Sequence, residues 1–116
     1  MIKVSSSQFN YQYGGEIRFP YSIASLISYI QSKPNLSKNF QFEKTFVFRD
    51  KIDEYIKQCK DSDIFLGSCY AWNWEITKTL VKEIKKINPK CLTILGGPQV
   101  PGHSERFFEN HPSVDI

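Results

Sequence analysis

The sequence has little of what would identify a function directly. It has only three cysteines in 116 residues, Cys59, Cys69 and Cys91, and no pair shows the spacing of metal ligands. A disulfide framework and a structural zinc site are therefore not expected. We find no signal-peptide pattern and no apolar run of transmembrane length. A cytoplasmic location with no membrane partner is the simplest expectation.

Neither sign of charge is in large excess. The chain carries 15 Lys and Arg against 12 Asp and Glu, a net charge of +3. The basic residues are spread along the chain, apart from Lys82, Lys85 and Lys86 on one predicted helix, where a solvated face explains them. A nucleic-acid partner would need a denser basic patch, so none is expected.

Phosphate-binding and phosphate-accepting motifs are missing as well. There is no P-loop, and Gly14-Gly15 lacks the spacing of the G-x-G-x-x-G turn that binds dinucleotides. A receiver domain would need acidic residues after its first strand and an Asp ending its third. Those places hold Ser7-Gln8 and Ser68-Cys69, which excludes that class.

What the sequence does have is a regular alternation of strand and helix patterns. Strands are expected at residues 2–8, 42–48, 64–69, 91–95 and 114–116, with helices beginning near residues 20, 50, 74 and 101. Such alternation predicts right-handed crossovers and a parallel sheet. We expect an α/β flavodoxin-like (Rossmann-like) domain over residues 1–116, with a five-stranded sheet in the order 2-1-3-4-5.

The predicted fifth strand has no helix after it to cover the sheet edge. A natural domain of this type would cover that edge. We therefore expect residues 1–116 to be an N-terminal fragment of a longer protein, truncated at the fifth strand. The uncovered edge and apolar surface also predict self-association of the fragment.

Small residues end two neighbouring predicted strands, at Gly67-Ser68 and at Gly96-Gly97. Parallel sheets bind ligands just beyond the carboxyl ends of their strands, and glycine lets a ligand lie against the backbone. The pattern therefore predicts a ligand site at this edge. The alternative is that the glycines only begin loops and that Ser68 is a turn residue.

Residues 63–115 resemble the N-terminal cobalamin-binding domain of cobalamin-dependent radical S-adenosylmethionine enzymes. The resemblance rests on D-I-F-L-G-S, the turn Tyr70-Ala71-Trp72-Asn73, I-K-K-I-N-P, L-T-I-L-G-G-P and a final segment with His111-Pro112 and Val114-Asp115. It implies that this domain binds cobalamin for methyl transfer or ring-forming chemistry. It also implies a partner barrel domain in the same chain, which would hold the iron-sulfur cluster and S-adenosylmethionine. The barrel's C-x-x-x-C-x-x-C motif is absent here, so no catalytic residue or metal ligand is assigned.

The resemblance implies a role for each residue at the predicted edge. The nucleotide tail of cobalamin would run past the strand ends, and we expect Gly97→Val to block it while leaving most secondary structure intact. The Ser68 hydroxyl would bond the tail, and aromatic rings would wall the pocket. The implied cofactor-binding residues are Gly14, Gly15, Gly67, Ser68, Tyr70, Trp72, Asn73, Gly96, Gly97, Pro98 and Gln99.

One departure keeps a second interpretation open. Many cobalamin domains carry Asp-x-His-x-x-Gly after the first strand, but this chain has only His103 and His111, both near its end. A degenerate module, serving substrate recognition or domain contact without a cofactor, is the alternative. The aromatic residues of the first loop fit either a corrin cover or a domain interface; they are Tyr11, Tyr13, Phe19 and Tyr21.

Overall fold

A parallel sheet of four strands forms the centre of the molecule. The structure is a computed structural model that describes residues 1–11, 17–103 and 105–116. The strands are β1 (Ile2–Ser7), β2 (Phe40–Phe42), β3 (Ile64–Ser68) and β4 (Leu92–Gly96), in the order β2-β1-β3-β4. All pairs are parallel. The α/β class and the relative order of these four strands are confirmed, and the order is that of a flavodoxin-like sheet.

Helices connect the strands. They are α1 (Tyr21–Gln31), α2 (Pro34–Ser37), α3 (Ile52–Gln58), α4 (Trp74–Ile87) and α5 (Phe107–Asn110). None of these described helices is long and apolar enough to cross a membrane. The short helix α2 was not expected within the loop at residues 32–39, although proline suits the first turn of a helix.

The second strand is shorter and begins earlier than expected. The prediction of residues 42–48 was wrong, because β2 ends at Phe42. The chain then returns to β1 at Phe46, which forms an isolated bridge with Ser7 and is itself fully buried. A segment rich in Phe, Thr and Val can be a strand paired with β1 along its whole length, or a buried segment that pairs with β1 at a single residue. The composition does not distinguish the two.

A fifth strand is not present among the described residues. Residues 114–116 nevertheless run beside β4. Leu95 N donates to Ile116 O over 2.9 Å, and Asp115 N and Ile116 N donate to Thr93 O over 2.9 and 3.1 Å. These contacts bring the segment to the expected edge of the sheet, while the five-stranded order stays a prediction.

The two faces of the sheet are unequally covered. Side chains alternate between the faces of a strand. Phe65 and Leu95 belong to the main core, which includes Leu80 and Ile84 of α4. On the other face α1 buries only Ile23 fully. The expected inner face of α1 was thus too wide: Leu26 is 56% exposed, and Ile27 and Ile30 are half-buried.

An ion pair holds the last residues against β4. Asp115 Oδ2 accepts hydrogen bonds from Lys85 Nζ over 2.6 Å, Thr93 N over 2.8 Å and Thr93 Oγ1 over 3.0 Å. Burial works against ionisation of Asp115, but the bonds from Lys85 and Thr93 outweigh it, and the pKa of Asp115 lies below its ordinary value. The carboxylate therefore stabilises the fold in its charged form.

We expect Asp115→Ala to lower the free energy of unfolding by about 1 kcal/mol at pH 7, because the Thr93 amide and the Lys85 ammonium lose an acceptor. Urea unfolding measures the change. Glu83→Ala, which removes an exposed pair with Lys86 on the same helix, is the control and should change stability by less than about 0.5 kcal/mol.

The same comparison has a pH dependence. A carboxyl group whose pKa is lower in the folded state stabilises it above the unfolded pKa of about 3.9. That contribution is lost as the pH falls through the folded value. The difference between the parent and Asp115→Ala should shrink below about pH 4; a constant difference down to pH 3 would contradict this role for the ion pair.

Candidate functional site

A groove lies between α1 and the carboxyl halves of β3 and β4, on the thinly covered face of the sheet. We call it the α1 groove, and its cavity has a volume of about 180 Å³. Its walls are mostly aliphatic side chains and glycine backbone. The lining residues are Ser22, Ile23, Leu26, Leu66, Gly67, Ser68, Ile94, Gly96 and Gly97. Four predicted site residues are thereby brought to one place: Gly67, Ser68, Gly96 and Gly97.

Gly96 and Gly67 have different structural reasons to be glycine. A Cβ at Gly96 would meet no atom within 4 Å, so this position leaves open space that a side chain would fill. A Cβ at Gly67 would lie 2.5 Å from Leu95 Cδ2 and 3.0 Å from Thr77 Cγ2, on the opposite face. Gly67 therefore lines the groove only with backbone, and its lack of a side chain serves the packing of α4.

Gly97 is required by the backbone itself. Its φ is 111°, which side chains rarely tolerate, and a Cβ there would lie 2.9 Å from Cys69 N. Two hydrogen bonds join the same loops: Cys69 N donates to Gly96 O over 2.7 Å, and Gln99 N donates to Cys69 O over 3.2 Å. A valine at position 97 would disturb this junction. A loss of binding in Gly97→Val would therefore not separate an effect on the ligand from an effect on the fold.

The α1 groove contains one uncommitted polar side chain. Ser68 is 6% exposed, and its Oγ has no hydrogen-bond partner among the described residues. The other hydroxyl in the groove, that of Ser22, shares a hydrogen bond of 2.7 Å with the hydroxyl of Tyr70. Ser68 Oγ is therefore the group in this groove that is free to bond a ligand.

Asn73 is committed to the protein. Its side chain is fully buried; Nδ2 donates to Ser68 O over 3.0 Å and to Phe9 O over 3.3 Å. Its Oδ1 accepts from Tyr70 N over 2.8 Å. The structure thus places this predicted site residue inside the loop after β3, where it fixes the positions of Ser68 and Tyr70.

A second cavity, also of about 180 Å³, adjoins the α1 groove at the Ser22–Tyr70 hydrogen bond. We call it the aromatic cavity. Trp72 stacks on Tyr70 with ring centroids 4.5 Å apart and on Tyr11 with centroids 4.3 Å apart. The structure therefore brings Tyr70 and Trp72 together in this cavity, and neither of them lines the α1 groove at the strand ends. The lining residues are Gln8, Phe9, Asn10, Tyr11, Arg18, Phe19, Pro20, Tyr70 and Trp72.

Sequence reasoning missed the two arginines near this cavity. Arg49 Nε donates to Asn10 O over 2.8 Å, and its Nη2 donates to Trp72 O, so Arg49 ties together the loops after β1 and β3. The Arg18 guanidinium lies over the Tyr11 ring, 5.3 Å from its centroid. The only available signal was their position in or near loops at the carboxyl edge, which many surface arginines share.

Several other candidates lie outside the two cavities. Pro98 and Gln99 are exposed beyond the groove, and Gly14 and Gly15 lie outside the described residues. His111 packs edge-on against Trp74, with centroids 5.7 Å apart. His103 is exposed, so neither histidine lines the groove or the cavity.

The described residues offer no cluster of three His, Cys, Asp or Glu side chains that would hold a metal ion. Cys69 lies next to the groove in sequence, but burial raises the pKa of its thiol to about 12. It therefore remains a protonated core residue at neutral pH, and not a thiolate ligand or nucleophile.

The glycine geometry predicts a contrast in stability. Gly97→Ala should lower the free energy of unfolding by about 1–3 kcal/mol, because the new residue is held at a strained φ. Gly96→Ala should change it by less than about 0.5 kcal/mol, since its Cβ enters open space. Urea unfolding of both variants compares them directly; equal losses would contradict the assigned roles.

Comparison with known proteins gives two relatives. No protein-family model matches the chain. A 2-(S-pantetheinyl)-carbapenam-3-carboxylate methyltransferase from Streptantibioticus cattleyicolor is 29% identical over 97 residues, and the cobalamin-dependent radical SAM methyltransferase TokK from Streptomyces tokunonensis is 28% identical over 97 residues. Each match covers 84% of this chain but 14% of the relative. The chain is thus similar to a short part of two much longer methyltransferases.

Proposed function

We propose that this chain is the cobalamin-binding module of a radical S-adenosylmethionine enzyme that performs methyl transfer or ring-forming chemistry. The observation that carries the proposal is the α1 groove, with the open position at Gly96 and the unpartnered Ser68 hydroxyl. It lies at the carboxyl edge of a parallel sheet, where such folds bind ligands. The similarity to TokK, which is cobalamin-dependent by name, supports the same function.

The described residues fit the two parts of cobalamin. The nucleotide tail ends in a flat aromatic base, and the walls at Ile23, Leu66 and Ile94 are apolar surfaces suited to its faces. Ser68 Oγ would donate a hydrogen bond to the ring nitrogen of the base. The Tyr70 ring, which stacks on Trp72 and lines the neighbouring aromatic cavity, would meet the flat corrin there.

When bound, cobalamin would supply a cobalt centre that carries a methyl group. The chain's own contribution is to position the cofactor and exclude water. Since no described histidine lines either cavity, an imidazole ligand to cobalt from these residues is not part of the proposal. The iron-sulfur cluster and S-adenosylmethionine would belong to a barrel domain elsewhere in the protein.

Binding is tested by titration with hydroxocobalamin followed by equilibrium dialysis. We expect retention of the cofactor and quenching of tryptophan fluorescence, because cobalamin absorbs where Trp72 emits. Trp72→Phe leaves Trp74 as the remaining fluorophore and should reduce the quenching. Free tryptophan corrects for light absorbed by the cofactor. If no cobalamin is retained, the degenerate module without a cofactor becomes the better interpretation.

Gly96→Val should weaken cobalamin binding by roughly 5- to 150-fold, which corresponds to an overpacking cost of about 1–3 kcal/mol. The valine side chain would occupy the open space of the groove without backbone strain. Gly102→Val is the matched control, because a Cβ at Gly102 also meets no atom within 4 Å and the residue lies outside the groove. Equal affinities of the two variants for cobalamin would contradict the assignment of the groove to the binding site.

A further inference from the structure

We propose that the α1 groove selects cobamides whose tail ends in an apolar benzimidazole over those whose tail ends in a purine. The inference rests on the proposed function, since it concerns the base that the groove would receive. It goes further by naming Ile94 and Ser68 as the residues that determine selectivity. The selectivity follows from the small number of polar groups that the groove can satisfy.

The backbone carbonyls at the groove are already hydrogen-bonded. Ser68 O accepts from Asn73 Nδ2 over 3.0 Å, and Gly96 O accepts from Cys69 N over 2.7 Å. Gly97 O accepts from Val100 N over 3.2 Å. Among the described lining residues, these acceptors are therefore engaged with the protein.

Few side chains that line the groove have polar atoms able to bond a ligand. Ser22 Oγ is paired with the hydroxyl of Tyr70 over 2.7 Å. Among the described residues that line the groove, Ser68 is then the one whose side-chain oxygen has no hydrogen-bond partner in the protein. The other lining side chains of the described residues are aliphatic, so the polar side-chain atoms in the groove are those of two hydroxyl groups, one of which is already engaged with Tyr70.

The groove therefore suits dimethylbenzimidazole better than adenine. A dimethylbenzimidazole that is not bound to cobalt has one ring nitrogen with a free lone pair, which Ser68 Oγ satisfies. Its two methyl groups gain from contact with aliphatic walls such as Leu26 and Ile94. Adenine carries further ring nitrogens and an exocyclic amino group. Those of its polar groups that face the aliphatic walls would lose water without gaining a partner, and one such group is enough for roughly tenfold weaker binding.

The test compares two pure cobamides, cobalamin and adeninyl cobamide, by equilibrium dialysis against the protein in buffer with excess cyanide, which holds both in the dicyano form with the base released from cobalt. The corrin is the same in both, so the difference in affinity reports on the contacts of the base. We expect cobalamin to bind at least about tenfold more tightly. Affinities within about threefold of each other, or tighter binding of the adeninyl form, overturn the selectivity while leaving the proposed function intact. No retention of either form, together with no retention of hydroxocobalamin, overturns both.

A variant pair then assigns the selectivity to the groove. Ile94→Thr places a hydroxyl on the wall and should narrow the ratio of the two affinities by at least about threefold. Leu92→Thr is the matched control, since Leu92 lies on the same strand and face, is 37% exposed and does not line the groove. It should leave the ratio unchanged. An unchanged ratio in folded Ile94→Thr overturns the role of that wall, and the parent comparison stands even if the variant fails to fold.

Discussion

The backbone contact between Gly97 and Cys69 is the constraint on which the carboxyl edge depends. It joins the loops after β3 and β4 and is reinforced by the hydrogen bonds of Cys69 with Gly96 and Gln99. Asn73 fixes the rest of the first loop from inside. The geometry of this edge is therefore fixed by the protein itself, and a ligand would bind to such a preorganised edge with a smaller loss of entropy.

Uneven cover of the sheet explains why the groove exists at all. The face packed by α4 carries the main core and supplies most of the buried apolar surface. The other face is free to remain partly open, with Leu26 and Tyr29 of α1 more than half exposed. Exposed apolar surface of this kind marks a binding site or an interface. The same arrangement thus places the main core on one face of the sheet and leaves the groove on the other.

Part of this was predictable from the sequence. Strand and helix alternation gave the class and the order of four strands, and the small residues at the strand ends indicated the edge that holds the groove. The face of the sheet to which each glycine belongs was not predictable. The strands β3 and β4 are apolar on both faces, so no alternation of polar and apolar residues reveals which face a residue lies on. Gly67 and Gly96 look equivalent in sequence, yet they face opposite sides of the sheet.

The missed side chains share a physical cause as well. Asn73 in the turn motif looks like a ligand-binding residue until its amide is seen to bond Ser68, Phe9 and Tyr70. Such internal hydrogen bonds depend on loop conformation, which residue spacing does not determine.

The groove also differs in character from the cavity beside it. No described residue that lines the α1 groove is titratable, so in the proposed function recognition there would rest on shape, on desolvation and on the Ser68 hydroxyl. The aromatic cavity, by contrast, includes Arg18 together with the polar side chains of Gln8 and Asn10. The Ser22–Tyr70 hydrogen bond joins a lining residue of one cavity to a lining residue of the other. Because a buried polar group without a partner is costly, the proposed function would place the polar parts of the cofactor at the aromatic cavity and the flat apolar base of its tail in the groove.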